Sequence, residues 1–151
     1  MLYPSQANQW REMASSGKMT KDDKQVELNK EQRYLCIKML AKWGQDYEDL
    51  LDSEFAREFS ADDELAKLRV SAAKLTRANK QELWDSYLVK DQWKQSDFIQ
   101  SAYNLLNRHQ REDCEHFAEL FFRDVERVEQ EFHRDYFRDW FDSLCPDYLK
   151  R

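Results

Sequence analysis

An all-α protein is expected, of about seven helices stacked as hairpins. Three observations carry this. The chain of 151 residues holds only two glycines and two prolines, so long uninterrupted elements with short connections are expected. From Asn29 onward apolar residues recur at steps of three and four, and no β-type alternation competes with them. Charged residues make up 36% of the chain, yet apolar residues reach 41% and aromatics 14%. That balance suits helices with aromatic anchors inside and charge outside, and not a disordered chain.

Residues 1–23 show no sustained period and read as an irregular or partly helical arm, with Leu2, Tyr3, Trp10 and Met13 as its apolar residues and Ala14 to Gly17 as a loop. Residues 24–151 read as one helical domain. Its first helix opens at Asn29, with Gln32 at capping-box spacing. Tyr34, Leu35, Ile37, Met39, Leu40 and Trp43 form its core face, and Gly44 ends it as a left-handed cap. A second helix runs from about Asp46 to Phe59 on a stripe of Tyr47, Leu50, Leu51, Phe55 and Phe59. Ser60, supported by Asp63, caps a third with Leu65, Leu68, Ala72 and Leu75 inward. Thr76 to Asn79 is a break, and Asn79 with Glu82 opens a fourth helix anchored by Leu83, Trp84, Tyr87 and Leu88. Trp93 falls in a link, and Ser96 caps a fifth helix on Phe98, Ile99, Ala102, Leu105 and Leu106.

The stretch from Gln110 to Pro146 dominates the pattern. Cys114, Phe117, Phe121, Val125, Val128 and Phe132 fall on one helical line; Tyr136, Phe137, Trp140, Phe141 and Leu144 form a second. The spacing suits one continuous helix as well as two helices broken near His133, the break being the preferred reading, and Pro146 ends the pattern. Short loops imply antiparallel neighbours throughout.

Composition limits function. A net charge of −6 disfavours nucleic acid and an anionic membrane surface. No run of apolar residues is long enough to span a bilayer, and the first twenty-one residues carry no secretory apolar block. Three scattered cysteines, Cys36, Cys114 and Cys145, read as reduced thiols, so an intracellular setting, cytoplasmic or mitochondrial, is expected.

Chemistry is sparse. His109, His116 and His133 nowhere form a His-Glu-x-x-His pair. Cys114 and His116 can supply two metal ligands, but a structural zinc site needs four, so no metal and no cofactor is expected. Cys36 and Cys145 read as packing. The acidic clusters at Asp62 to Glu64 and at Glu112-Asp113 sit at helix starts, where they favour the helix dipole. No Gly-rich loop exists to cradle a phosphate. Catalytic residues are therefore expected to be absent. The remaining signal is a surplus of rings around Phe121-Phe122 and Phe137, Trp140 and Phe141, either a thick core or a contact surface.

The same stretch resembles the end of the C-terminal helical domain of the aminopeptidase N family of zinc metallopeptidases. Gln110, Phe121-Phe122, Val125, Val128, Leu144 and Pro146 stand in the family's register without a gap. Upstream, Arg33 to Gly44 resembles the family's Arg…Leu-Ala-x-x-Gly segment, and Ala72-Ala73 followed by Lys80 to Trp84 resembles its small-residue helix and the Lys-x-x-x-Trp start of the next. The similarity covers about residues 29–148. Glu129 and Arg134-Asp135 depart from it, and the family's catalytic domain and metal motif are absent, so no catalytic residue carries over. The resemblance implies a curved, HEAT-like superhelix of antiparallel hairpins.

Together these readings favour a non-catalytic interaction module, an accessory or structural subunit of a larger assembly with protein partners and no small-molecule substrate. The alternative is the C-terminal portion of an aminopeptidase that caps an active site and controls peptide access. The expected interface residues are Trp10, Tyr136, Phe137, Trp140 and Phe141.

Overall fold

The computed structural model describes residues 4–57, 60–106 and 111–146. These residues form eight helices and one small hairpin of strands, an all-α protein. The chain divides into two compact units, Met1–Thr76 and Arg77–Arg151, in place of the expected arm over 1–23 and single domain over 24–151.

Unit 1 begins with a helix, within the arm expected to be irregular or partly helical. Helix α1 (Pro4–Ser16) buries Ala7 and Ala14 and packs Trp10 and Met13 against the same core. Positions 7, 10 and 14 do share a helical face. Alanine carries the stripe, which hid the period. Pro4 suits a first helical position, where its missing N–H is no loss. Gly17, at φ +70°, ends the helix and donates to the Met13 carbonyl at 3.0 Å, so the expected Ala14–Gly17 loop is the last helical turn and its cap.

An antiparallel hairpin follows, β1 (Lys18–Lys21) and β2 (Lys24–Glu27), with Lys21 opposite Lys24. Asp22 and Asp23 both take positive φ, the backbone of a type I′ turn. No β-type alternation was read in the sequence here. Each strand is only four residues long, and β2 is exposed throughout, so no buried face left an alternation to read.

Helix α2 (Lys30–Lys42) opens with the expected capping box of Asn29 and Gln32, and Gly44 follows its end at φ +68°. Helix α3 (Glu48–Arg57) is shorter than expected among the described residues, and Phe59 lies outside them. Helix α4 (Ala61–Ala73) opens at Ser60, with the Asp63 carboxylate reaching back to the Ser60 N–H at 2.6 Å. Two core faces differ from those expected. In α2, Leu35 is exposed while Cys36 and Ala41 are buried; in α4, Ala66, Val70 and Ala73 are buried while Leu65 and Leu68 are only half-buried. Leu75, just past α4, is exposed. The small face of α4 is the one that allows close approach to α2.

The packing of α2 on α4 is extensive, and the two helices run in the same direction. Their starts are tied by Lys30 to Asp63, and their ends by the Leu75 N–H to the Ala41 carbonyl at 3.1 Å. Helix α3 is thus the crossover that returns the chain, and the rule of antiparallel neighbours fails for this pair.

The helix expected to open at Asn79 starts two residues earlier. Helix α5 (Arg77–Tyr87) follows a break at Lys74 to Thr76, so Asn79 lies inside the helix and does not cap it. Helix α6 (Gln95–Leu105) is preceded by Lys94 rather than capped by Ser96, whose hydroxyl donates to Asp97 instead. Helix α7 (Arg111–Glu131) ends before Phe132, and α8 (Arg134–Leu144) begins after His133, whose Nδ1 accepts from the Asp135 N–H at 3.3 Å. The expected break near His133 is there. Helices α6 and α8 pack antiparallel, with Gln95 bonded to Asp139 and Phe98 against Tyr136.

Candidate interaction surfaces

Where polar side chains are buried, each of the two units uses them to hold itself together. In unit 1 the Asp63 side chain is fully buried and accepts from Lys30 at 2.6 Å, the Tyr34 hydroxyl at 2.7 Å and the Ser60 hydroxyl at 3.0 Å. Burial alone raises such a carboxyl, but these hydrogen bonds outweigh it and hold Asp63 well below the usual carboxylate range. Burial and the bond to Asp63 push the Tyr34 hydroxyl up. Asp62 and Glu64 stay exposed, so the acidic cluster is a helix cap and not a convergent set of carboxylates. Glu54, also buried, is gripped by Arg33 at 2.9 Å and Arg57 at 3.0 Å.

In unit 2 the Trp84 indole donates to Asp124 at 2.9 Å, and Arg123 adds two further bonds to the same carboxylate. Burial works against the Asp124 carboxylate, but Arg123 and Trp84 bring it below its ordinary value. Tyr87 and Ser101 share a bond of 2.6 Å, and Tyr136 donates to the Tyr87 carbonyl at 2.8 Å. Buried Lys80 donates to the Leu105 carbonyl, capping α6. Sequence reasoning missed Asp124 and Lys80, because on an isolated amphipathic helix both sit among solvent-side residues.

Among the described residues no group of three or more His, Cys, Asp or Glu is placed to hold a metal ion. His116 instead meets Gln81 at 3.3 Å, and His133 caps α8. His109 and the Cys114 side chain lie outside the described residues. Cys36 and Cys145 are buried, and burial pushes the Cys36 thiol up, as for an inert packing residue. No described helix is long and apolar enough to cross a membrane.

The rings divide sharply. Trp140 is 0% exposed, stacked on Phe121 at 5.1 Å and edge-on to Trp84 at 5.7 Å. It is the centre of the unit 2 core, which corrects its expected place on an interface. Tyr136 is half-buried between Phe98 and Phe132 and spends its hydroxyl on Tyr87. Trp10 is half-buried against the unit 1 core. Of the rings read as surplus to one inward stripe, those at the outer edge remain open. Phe141 is 39% exposed, touches Phe121 at 5.4 Å and Phe137 at 6.0 Å, and Phe122 is 53% exposed. Phe137 and Phe141 line a shallow depression of about 520 Å³ on α8 with Arg134, Arg138, Asp135 and Asp142 at its rim. Phe122 was not among the expected interface residues, although its ring was read as surplus to one inward stripe.

No family model matches the chain, and no curated protein matches it. The resemblance to the aminopeptidase N C-terminal domain rests on the residues quoted for it alone.

Proposed function

We propose that the protein is a non-catalytic helical interaction module, an accessory or structural subunit of a larger protein assembly. The observation that carries this reading is the open aromatic edge of unit 2. Phe141 and Phe122 are exposed beside a complete core, with a polar rim of both signs around Phe137 and Phe141. Aromatic anchors inside a rim of arginine and carboxylate are the usual composition of a protein interface. The buried charges support it from the other side. Asp63, Glu54 and Asp124 are each engaged in an ion pair within their own unit.

The test is native purification of the protein followed by measurement of particle mass, for the wild type and for a Phe122→Ser, Phe141→Ser variant. A particle well above the mass of one chain is expected for the wild type. The variant should return to the mass of one chain with its helicity intact and a cooperative thermal transition. A wild-type chain that elutes as a free monomer from its native source overturns the proposal. So does a variant that assembles as well as the wild type.

A further inference from the structure

We infer that the partner at the aromatic edge of unit 2 is a second copy of this chain, whose α8 lies antiparallel on α8 so that Arg134 of each copy meets Asp142 of the other. This rests on the reading of that edge as an interface, and it names what covers the edge.

Helix α8 sets its outer rings between unlike charges. Arg134 stands at its first position and Asp142 in its last turn, with Phe137 and Phe141 between them, and all four line the same depression. Arg134 and Asp142 are exposed, and among the described residues neither has an ion pair. Each sits at the end of α8 where the helix dipole disfavours its sign, the cation at the N-terminus and the anion at the C-terminus. The other two charges lining the depression, Asp135 and Arg138, are paired with one another at 3.5 Å, and Asp139 lies at the same distance from Arg138.

An order of cation, ring, ring, anion is its own complement when reversed. A twofold axis, the commonest symmetry of oligomers of one chain, passing beside Arg138 sets Arg134 against the partner's Asp142 at both ends of the seam. The two pairs are then about 12 Å apart along the helix. In that register the partner's Phe141 and Phe137 come level with Asp135 and Asp139. The four rings therefore alternate along the seam and interdigitate. The two Arg138 side chains approach at the axis, where Asp135 and Asp139 of their own helix offset them. Reversal also brings Arg134 and Asp142 beside the favourable ends of the partner's dipole. A partner of uniform charge sets like charges together at one end, and a purely apolar one desolvates both ions without a counter-charge.

The experiment is analytical ultracentrifugation of the purified full-length chain over a concentration series, with circular dichroism of every variant. The wild type should reach the mass of two chains. Arg134→Asp and Asp142→Arg should each raise the dimer Kd at least about tenfold, since each sets like charges together at both ends. Combining the two substitutions in one chain should restore the dimer. Mixing the two single variants should restore it as a mixed dimer, because both ends are then opposite in charge. The wild-type dimer should weaken as salt is added. Both substitutions suit the dipole of α8, so helicity should hold; Arg134→Gln and Asp142→Asn, with a smaller loss expected, serve where it does not. Single variants that dimerise like the wild type overturn the inference, as does a charge swap or a mixture that stays monomeric. A wild-type chain that is monomeric at every concentration overturns it too. If the native particle is then still larger than one chain, the edge belongs to a different protein and the proposed function stands; a native particle of one chain overturns that function as well.

Discussion

Replacing Asp63 by alanine tests the reading of unit 1 most directly. The carboxylate has no exposure to solvent and ties two helices together through three residues: Lys30 at the start of α2, Tyr34 one turn later, and Ser60 at the start of α4. Removing it takes away the capping interaction, about 1 kcal/mol. It also leaves the buried Tyr34 hydroxyl without its acceptor, about 1–3 kcal/mol. Breaking a buried ion pair from one side costs about 3–5 kcal/mol in all, and the smaller contributions are contained in that figure because the groups act together. Asp62→Ala, one residue away and exposed, is the control and should cost less than about 1 kcal/mol. Urea unfolding of the full chain gives the totals. Hydrogen exchange in α2 and α4 then localises the loss to unit 1. A cost for Asp63→Ala no greater than that for Asp62→Ala refutes the reasoning, as does additivity between Asp63→Ala and Tyr34→Phe. The pH dependence follows from the depressed carboxyl. Its contribution is fully present above the ordinary aspartate value of about 4 and fades as pH falls towards the folded-state value. The stability of the wild type should therefore fall with acid more steeply than that of Asp63→Ala.

Two further outcomes are expected. Trp140→Ala should destabilise unit 2 by about 3–5 kcal/mol in urea, whereas Phe141→Ala should cost well under half of that, since its ring is partly open; equal effects would deny the division between core and edge. Gly44→Ala should lower stability by about 1–2 kcal/mol, because φ is +68° and the new methyl would meet Leu75 Cδ2 at 3.2 Å, and an unchanged thermal transition would contradict this.

The parts of the fold legible in the sequence are those set by contacts between near neighbours. Asn29 with Gln32, Ser60 with Asp63, Gly44, and the interruption at His133 each act within a few residues of themselves. Helix α1 was hidden because its stripe is built from Ala7 and Ala14, which bury little surface and give almost no hydrophobic signal. The same cause misplaced the inner face of α4. There Ala66, Val70 and Ala73 face inward while the larger Leu65 and Leu68 stay only half-buried. Large residues mark an apolar side, but close helix approach selects small ones, and the two criteria differ by about one position around the helix. The parallel course of α2 and α4 was invisible for another reason. Loop length constrains consecutive helices, and these two are separated by α3.

The same one-position difference decides what the aromatic end of the chain can do. Trp140 and Phe141 are adjacent, and each continues an apolar line with Phe137 or Tyr136 and Leu144, so periodicity gives both rings an equal claim to core or surface. The structure separates them through Phe121, which stacks flat on Trp140 and meets Phe141 only edge-on. Phe121 fills the middle of α7, and Trp84 closes the far side of Trp140 while its own indole is fixed by Asp124. With those positions taken, the next ring outward has core on one side and solvent on the other. The pair Phe137 and Phe141 is therefore backed from within by the core of unit 2. A rigid ring presented this way loses little side-chain freedom on docking, which is the property that lets a few aromatic anchors carry an interface.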